Sequence, residues 1–463
     1  MSETADELLA AWNLTCARRA PNPAIFNTQR ELVRTFAQID DEAGEFQGGE
    51  LKEIPPGSVI AIQLGNHPAW PGLLLACLRQ KLVILPLEGT IAERERDAAL
   101  SVGHAAALVL AEDTRAIFRA LDHEPVTWGL NPPTLLKLTS GTTATPRAIR
   151  FRSAQLFADC AQICDTMGIT DRDLNFGVIP ISHSYGFSNL ITPLIARGVP
   201  LALSRDRMPR AVLDDLARTR ATVFPGMPVF YQAFCEMDPL PTLPKLRLCI
   251  SAGAPLPLVV AQKFRDKFQQ SIHSFYGSSE CGGICYDRDA PLVEEAFVGE
   301  PMTNVTLELL DRNATMSCVE VWSAAAGEGY FPEPDEEKLK SGRFVPDDLL
   351  MPGTDGFRIV GRVSDVINVA GKKVNPAEVE AVLLAFVGVR QAVAFGRGST
   401  LRNEEVAACV VAESGLIEAD LLEFCRHRLS GWQVPRRVFF LSEIPVTERG
   451  KISRRALAER FCS

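Results

Sequence analysis

Three apolar runs of strand length, at 59–64, 82–86 and 105–110, are separated by helix-like stretches, and Trp70–Arg79 between the first two has helical spacing. Strands apolar throughout have no wet side, so they belong in a parallel sheet covered by helices on both faces. A second set repeats the alternation, with a helix over Ser153–Met167 and strands at 176–180, 221–224 and 246–251. The pattern predicts an α/β fold, in which ligands collect at the carboxyl ends of the strands. With 463 residues, 46% hydrophobic and 23% charged, the chain exceeds a single core and should divide into two or more domains.

The final hundred residues change character. Strand-like runs at 391–395, 405–411 and 437–441 surround an amphipathic helix at 417–429, the make-up of a small α+β domain. Asn375, Pro376 and Glu378 read as an N-cap, a first-turn proline and a capping-box acid, opening a helix whose Val379, Val382, Leu383 and Phe386 share one face.

Composition excludes several function classes. The net charge of −9 argues against a nucleic-acid surface. From Val363 onward 14 Lys and Arg oppose 12 Asp and Glu, giving +2, so the remainder carries −11. That mildly basic end suits either a polyanion such as CoA or an ordinary solvated surface. The N-terminus is acidic and lacks an export pattern, and the most apolar stretch, 70–78, is about half of the roughly 20 residues of a membrane span. Twelve scattered cysteines without C-x-x-C pairs suggest reduced thiols in a cytosolic protein. Cys160 with Cys164, and Cys281 with Cys285, could meet, but no histidine accompanies either pair and the six histidines are dispersed.

The chemistry concentrates in short motifs. Residues 136–151 read L-K-L-T-S-G-T-T-A-T-P-R-A-I-R-F. Thr139, Ser140, Gly141, Thr142 and Thr143 offer four hydroxyls and consecutive backbone N–H groups, an anion nest to which Arg147 adds charge. Taken alone, such a loop equally suits a polar turn ended by Pro146, and it lacks the Walker spacing. P-I-S-H-S-Y-G-F (180–187) holds His183, Tyr185 and Phe187; S-A-G-A-P-L (251–256) offers the small residues Ala252, Gly253 and Ala254; Y-G-S-S-E (276–280) follows. P-D-D (346–348), G-R-V-S-D (361–365), G-K-K-V-N-P-A-E-V-E (371–380) and P-V-T-E-R-G-K-I-S-R (445–454) complete the series.

In type and order these motifs resemble those of the AMP-forming adenylating enzymes: the acyl- and aryl-CoA synthetases, peptide-synthetase adenylation domains and luciferases. The phosphate loop differs at Ala144 and Arg147, where the family has Gly and Lys, and the family's T-G-D is altered at Pro346 and Asp347. The resemblance implies a large N-terminal domain of α/β sheet subdomains with a smaller β-rich part, over 1–361, and a small C-terminal α+β domain, over 362–463, joined by a hinge at 362–365.

It also implies roles. The 139–143 loop and Arg147 would hold phosphates, Ala252–Ala254 and Tyr276 the adenine, Ser279 the α-phosphate, and Asp348 and Arg362 the ribose and nucleotide. Glu280 would help hold Mg2+, His183, Tyr185 and Phe187 border the acyl site, and Lys451 is the catalytic lysine, with His183 the other catalytic candidate. Ser364 takes the hinge position and Gly371 lines the thiol tunnel. The activity implied is ATP-dependent conversion of a carboxylic acid to an acyl-adenylate, then to a thioester. The acceptor is CoA, or the phosphopantetheine of an acyl carrier protein; a non-catalytic nucleotide- or acyl-binding protein is the alternative from another class, against which Glu280, Asp348, Arg362 and Lys451 count. Neither nucleic acid nor an integral membrane segment is expected.

Overall fold

The computed structural model of the chain describes residues 6–113, 115–129, 131–139, 147–290, 294–370, 372–399, 403–445 and 453–461. It divides into two compact units, one of Met1–Leu309, Glu320–Pro346 and Pro352–Arg358, the other of Leu310–Val319, Asp347–Met351 and Ile359–Ser463.

In the first unit, one seven-stranded sheet runs in the order Gly329–Phe331, Ala148–Phe151, Leu135–Leu138, Val83–Pro86, Val59–Gln63, Ala105–Glu112, Arg115–Ala120. Its four middle strands are parallel and its edges antiparallel. Helix Trp70–Arg79 crosses between two of these strands and buries every residue from Trp70 to Leu78, so the apolar run is a core helix. Pro71 in its first turn costs no hydrogen bond.

A second sheet carries a parallel block in the order Pro23–Phe26, Leu201–Leu203, Asn175–Gly177, Val223–Gly226, Leu248–Ser251, Ile272–Ser278, followed by antiparallel Gly282–Tyr286 and Phe297–Pro301. The expected strand at 176–180 is thus shorter and earlier, Asn175–Gly177, because the chain turns at Pro180. Phe176, Phe224, Phe230, Tyr231, Phe234 and Phe264 fill its core, each buried ring contributing about 1.5–3 kcal/mol. Asn66 clips the two sheets together: its Nδ2 donates to Gly177 O, Ile179 O and Ser204 O at 3.0–3.1 Å, and its Oδ1 accepts from Ile181 N at 3.0 Å. A smaller β-rich part pairs Val319–Ser323 with Arg343–Phe344, and the latter with Leu339–Lys340.

The second unit is built on a sheet in the order Lys372–Val374, Ile367–Val369, Asn403–Ala412, Val389–Ser399, with Arg437–Phe440 parallel to Asn403–Ala412. Period-two alternation gives it two apolar faces. Ala394, Val406, Ala408 and Val410 pack with Val379, Leu383, Leu421 and Cys425, whereas Val393, Phe395, Ala407, Cys409 and Val411 pack with Leu457 and Phe461. The helix Pro376–Leu384 starts as expected, Asn375 accepting from Ala377 N at 3.1 Å, and Val382 and Phe386 pack beside Val379 and Leu383. Glu378 closes no capping box. Its Oε2 instead accepts from Gln433 Nε2 at 2.6 Å, a partner 55 residues away that outcompetes the local bond.

Candidate active site

Strands Leu135–Leu138 and Ala148–Phe151 form a hairpin whose ladder continues one step past its last pair: Thr139 N donates to Arg147 O at 2.8 Å, and Thr139 Oγ1 to the same oxygen at 3.2 Å. That closes the neck of the hydroxyl-rich loop. Ser140, Gly141, Thr142, Thr143 and Ala144 lie outside the described residues.

Arg147 is held at this neck. Its guanidinium lies 4.3 Å from the Tyr330 ring centroid, and Nη2 donates to Glu333 O at 2.8 Å. Tyr330 sits on the Gly329–Phe331 strand, opposite Ile149, and its hydroxyl donates to Glu280 Oε1 at 3.3 Å. Arg147, Tyr330 and Glu280 therefore form a continuous chain from the loop to the Y-G-S-S-E turn. Burial and the Glu280 carboxylate push the Tyr330 hydroxyl well up, so it stays a donor. Behind it Lys137, on the strand leading into the loop, is 5% exposed. Its ammonium lies 4.5 Å from the Phe151 ring centroid and faces Asp159, Glu280 and Cys281; burial lowers its pKa.

The parallel strands bring other motifs to one edge. Gly226 pairs with Ser251, and Ser251 with Ser274, so the turns after Leu248–Ser251 and at the end of Ile272–Ser278 emerge together. Ala252 is buried, and its N donates to Gly226 O at 3.3 Å; Gly253 and Ala254 are exposed. Gly253 has φ +85° with open space around it, a backbone angle that disfavours any side chain. Tyr276 is 6% exposed, within the sheet, while Ser279 and Glu280 are half-buried.

In the P-I-S-H-S-Y-G-F turn, His183 N donates to Pro180 O at 3.1 Å and Phe187 N to His183 O at 2.8 Å. A Cβ on Gly186 would stand 2.0 Å from Pro180 O, which is why this turn needs glycine there. His183 is half exposed and pairs its Nε2 with Glu88 Oε2 at 3.3 Å, while Arg207 approaches Glu88 Oε1 at 3.6 Å. The His183 hydrogen bond, with Arg207 adding to it, pulls the Glu88 carboxyl down to about 2. Tyr185 donates its hydroxyl to Gly226 O at 3.2 Å and packs on Phe275; Phe187 is 1% exposed, at the start of a single π-helical turn.

In the second unit, Arg362 Nε donates to Asp348 Oδ1 at 2.9 Å, joining two motifs 14 residues apart. Val363 N donates to Asp347 O at 2.8 Å. Ser364 sits in the one-turn 3-10 helix Val363–Asp365, its side chain outside the described residues, as are Gly371 and Lys451.

Tyr330, Lys137 and Glu88 carry no signal in the sequence that marks them for the site. Each gains its place from a strand pairing or a turn that brings together residues far apart in the chain, and no short spacing announces it.

The signature of the AMP-binding enzymes matches residues 14–328, and that of the AMP-binding enzyme C-terminal domain matches 378–451. The chain belongs to the AMP-binding enzyme family. Among relatives in that family, an oxalate–CoA ligase of Arabidopsis thaliana is 26% identical over 96% of this chain and 97% of its own length. A 3,4-dihydroxybenzoate–[aryl-carrier protein] ligase of Bacillus anthracis is 26% identical over 72% of this chain and 76% of its own. The fold matches that of ATP-bound MatB from Rhodopseudomonas palustris, with TM-score 0.83, 23% identity, and coverage of 97% of this chain and 99% of that one. No helix among the described residues is long and apolar enough to cross a membrane.

Proposed function

We propose that this enzyme activates a carboxylic acid with ATP and passes the acyl group to a thiol, acting as an acyl- or aryl-acid:CoA ligase. The observation that carries the reading is the Arg147–Tyr330–Glu280 chain, which links the neck of the hydroxyl loop to a turn bearing an acidic residue.

In this reading 1–361 binds nucleotide and acid, and 362–463 carries the lysine. The loop of Thr139, Ser140, Gly141, Thr142 and Thr143 holds the β- and γ-phosphates with Arg147 beside it. Tyr276 and Ala252, Gly253 and Ala254 bound the adenine, Ser279 reaches the α-phosphate, and Asp348 with Arg362 takes the ribose. Among the described residues no group of three His, Cys, Asp or Glu is placed to hold a metal ion, and a divalent cation at Glu280 would take most of its oxygens from the triphosphate. That suits Mg2+, which when bound neutralises phosphate charge.

An oxygen of the acid attacks the α-phosphorus, the bond to the bridging oxygen breaks, and pyrophosphate leaves. Two anions must approach, so the work of the residues is positioning and charge stabilisation. Lys451 bridges carboxylate and α-phosphate, and His183, Tyr185 and Phe187 border the acid. In the second step a thiol sulfur attacks the acyl carbon, AMP leaves with the electron pair, and the thiol proton is released. Ser364 is the hinge that exchanges the two steps, and Gly371 lines the thiol path.

The carrier-protein ligase among the relatives favours a second reading, in which phosphopantetheine replaces CoA. Acid-dependent pyrophosphate release tests both, run over short, medium, long and aromatic acids with CoA, with carrier protein and with neither. A thioester on CoA supports the first reading and one on carrier protein the second. ATP binding without release on any acid overturns both.

A further inference from the structure

Arg454 opens the Arg454–Arg460 helix, three residues beyond Lys451 in the chain. Its guanidinium reaches three separate elements. Nη2 donates to Glu380 Oε1 at 2.8 Å and Oε2 at 3.2 Å, Nε donates to Ala394 O at 3.1 Å, and Nη1 donates to Asp365 Oδ2 at 2.7 Å. Two of these anchors are fixtures of the unit's core: Ala394 is fully buried, and Glu380 also accepts from Ala394 N at 2.8 Å. The third is different. Asp365 ends the 3-10 turn Val363–Asp365, directly after Ser364. A planar fork of donors holds such acceptors at set mutual distances, which an ammonium on a flexible stem does not.

We propose that Arg454 is a positioning residue that fastens the chain just beyond Lys451 to the hinge turn at Asp365, so that the lysine follows every rotation at Ser364. The inference rests on the adenylating role given to Lys451 above. Adenylation needs the lysine in place, whereas thiol attack on a finished adenylate does not. Loss of the tie therefore falls on the first half-reaction.

The test uses the full chain with Arg454→Lys, Asp365→Asn, both together, and Lys451→Ala. The acid is the one giving the greatest pyrophosphate release in the panel above. Release is measured first; consumption of the chemically synthesised adenylate of that acid by the accepting thiol is measured separately, with the thermal midpoint of each variant. A displacement near 1 Å costs on the order of 100-fold, so Arg454→Lys and Asp365→Asn should lower adenylation about 10- to 100-fold. Adenylate consumption should stay within about threefold, and the double variant should be no worse than the weaker single, because both changes cut one tie.

Equal loss in both half-reactions overturns the proposal, leaving Arg454 a fold residue. So does wild-type adenylation in Arg454→Lys and Asp365→Asn when Lys451→Ala is impaired. If Lys451→Ala itself adenylates normally, or no acid supports release in the wild type, the underlying reading falls and takes the inference with it.

Discussion

Lys137 brings a charge into the interior, where its ammonium makes no hydrogen bond among the described residues. Lys137→Met keeps the length and removes the charge, together with its attraction to Asp159 and Glu280. The pH dependence has a definite sign. Because burial lowers the folded pKa of Lys137, the unfolded chain binds the extra proton, and stability rises with pH from the lowered value up to about 10.4. The methionine variant should lack that rise. Glu88 behaves oppositely: its folded pKa of about 2 lies below the ordinary carboxylate value, so its contribution is complete above about pH 4.3 and is lost as pH falls toward 2. Glu88→Gln should flatten the acid limb of stability against pH over that window. At this scale the sequence announces residues that sit in motifs, such as Thr139, Glu280 and Asp348. It is silent on Lys137, whose setting comes from Phe151 across the hairpin and from Asp159 and Glu280 beyond it.

Elements were legible wherever periodicity and turn chemistry agreed. Trp70–Arg79 and Ser153–Met167 stand where their spacing puts them, and Asn375 caps its helix. The misreadings are local. Glu378 is taken by Gln433, and the strand expected at 176–180 stops at Gly177, because tertiary partners and the turn at Pro180 decide those ends. Gly186 shows a constraint that periodicity does not register, a side chain there meeting Pro180 O at 2.0 Å. Gly186→Ala should cost about 1–3 kcal/mol, read as a lower urea midpoint with an unchanged slope. At the hinge, Ser364→Pro restricts φ in the one turn on which the proposed rotation depends. Stopped-flow measurement of each half-reaction should show adenylation retained and thioester formation slowed; equal loss in both would count against a hinge at this position.

For the whole molecule, the ordered series of motifs from Thr139 to Arg454 specified the fold class and its large and small parts through its resemblance to the adenylating enzymes, and within the first unit the turns after Ser251 and at Ser278 emerge at one sheet edge, as an α/β sheet requires. The acid was not legible, since the surroundings of His183, proposed to border it, are set by folding: Glu88, 95 residues earlier, meets both His183 and Arg207. In the proposed first step the acid's own oxygen attacks the α-phosphorus of ATP. Carboxylate labelled with oxygen-18, turned over with ATP and the accepting thiol, tests this directly through mass spectrometry of the nucleotide product. The expected product is AMP carrying one labelled oxygen, left on phosphorus when the thiol takes the acyl group and AMP departs. Unlabelled AMP, or ADP as the product, would contradict it.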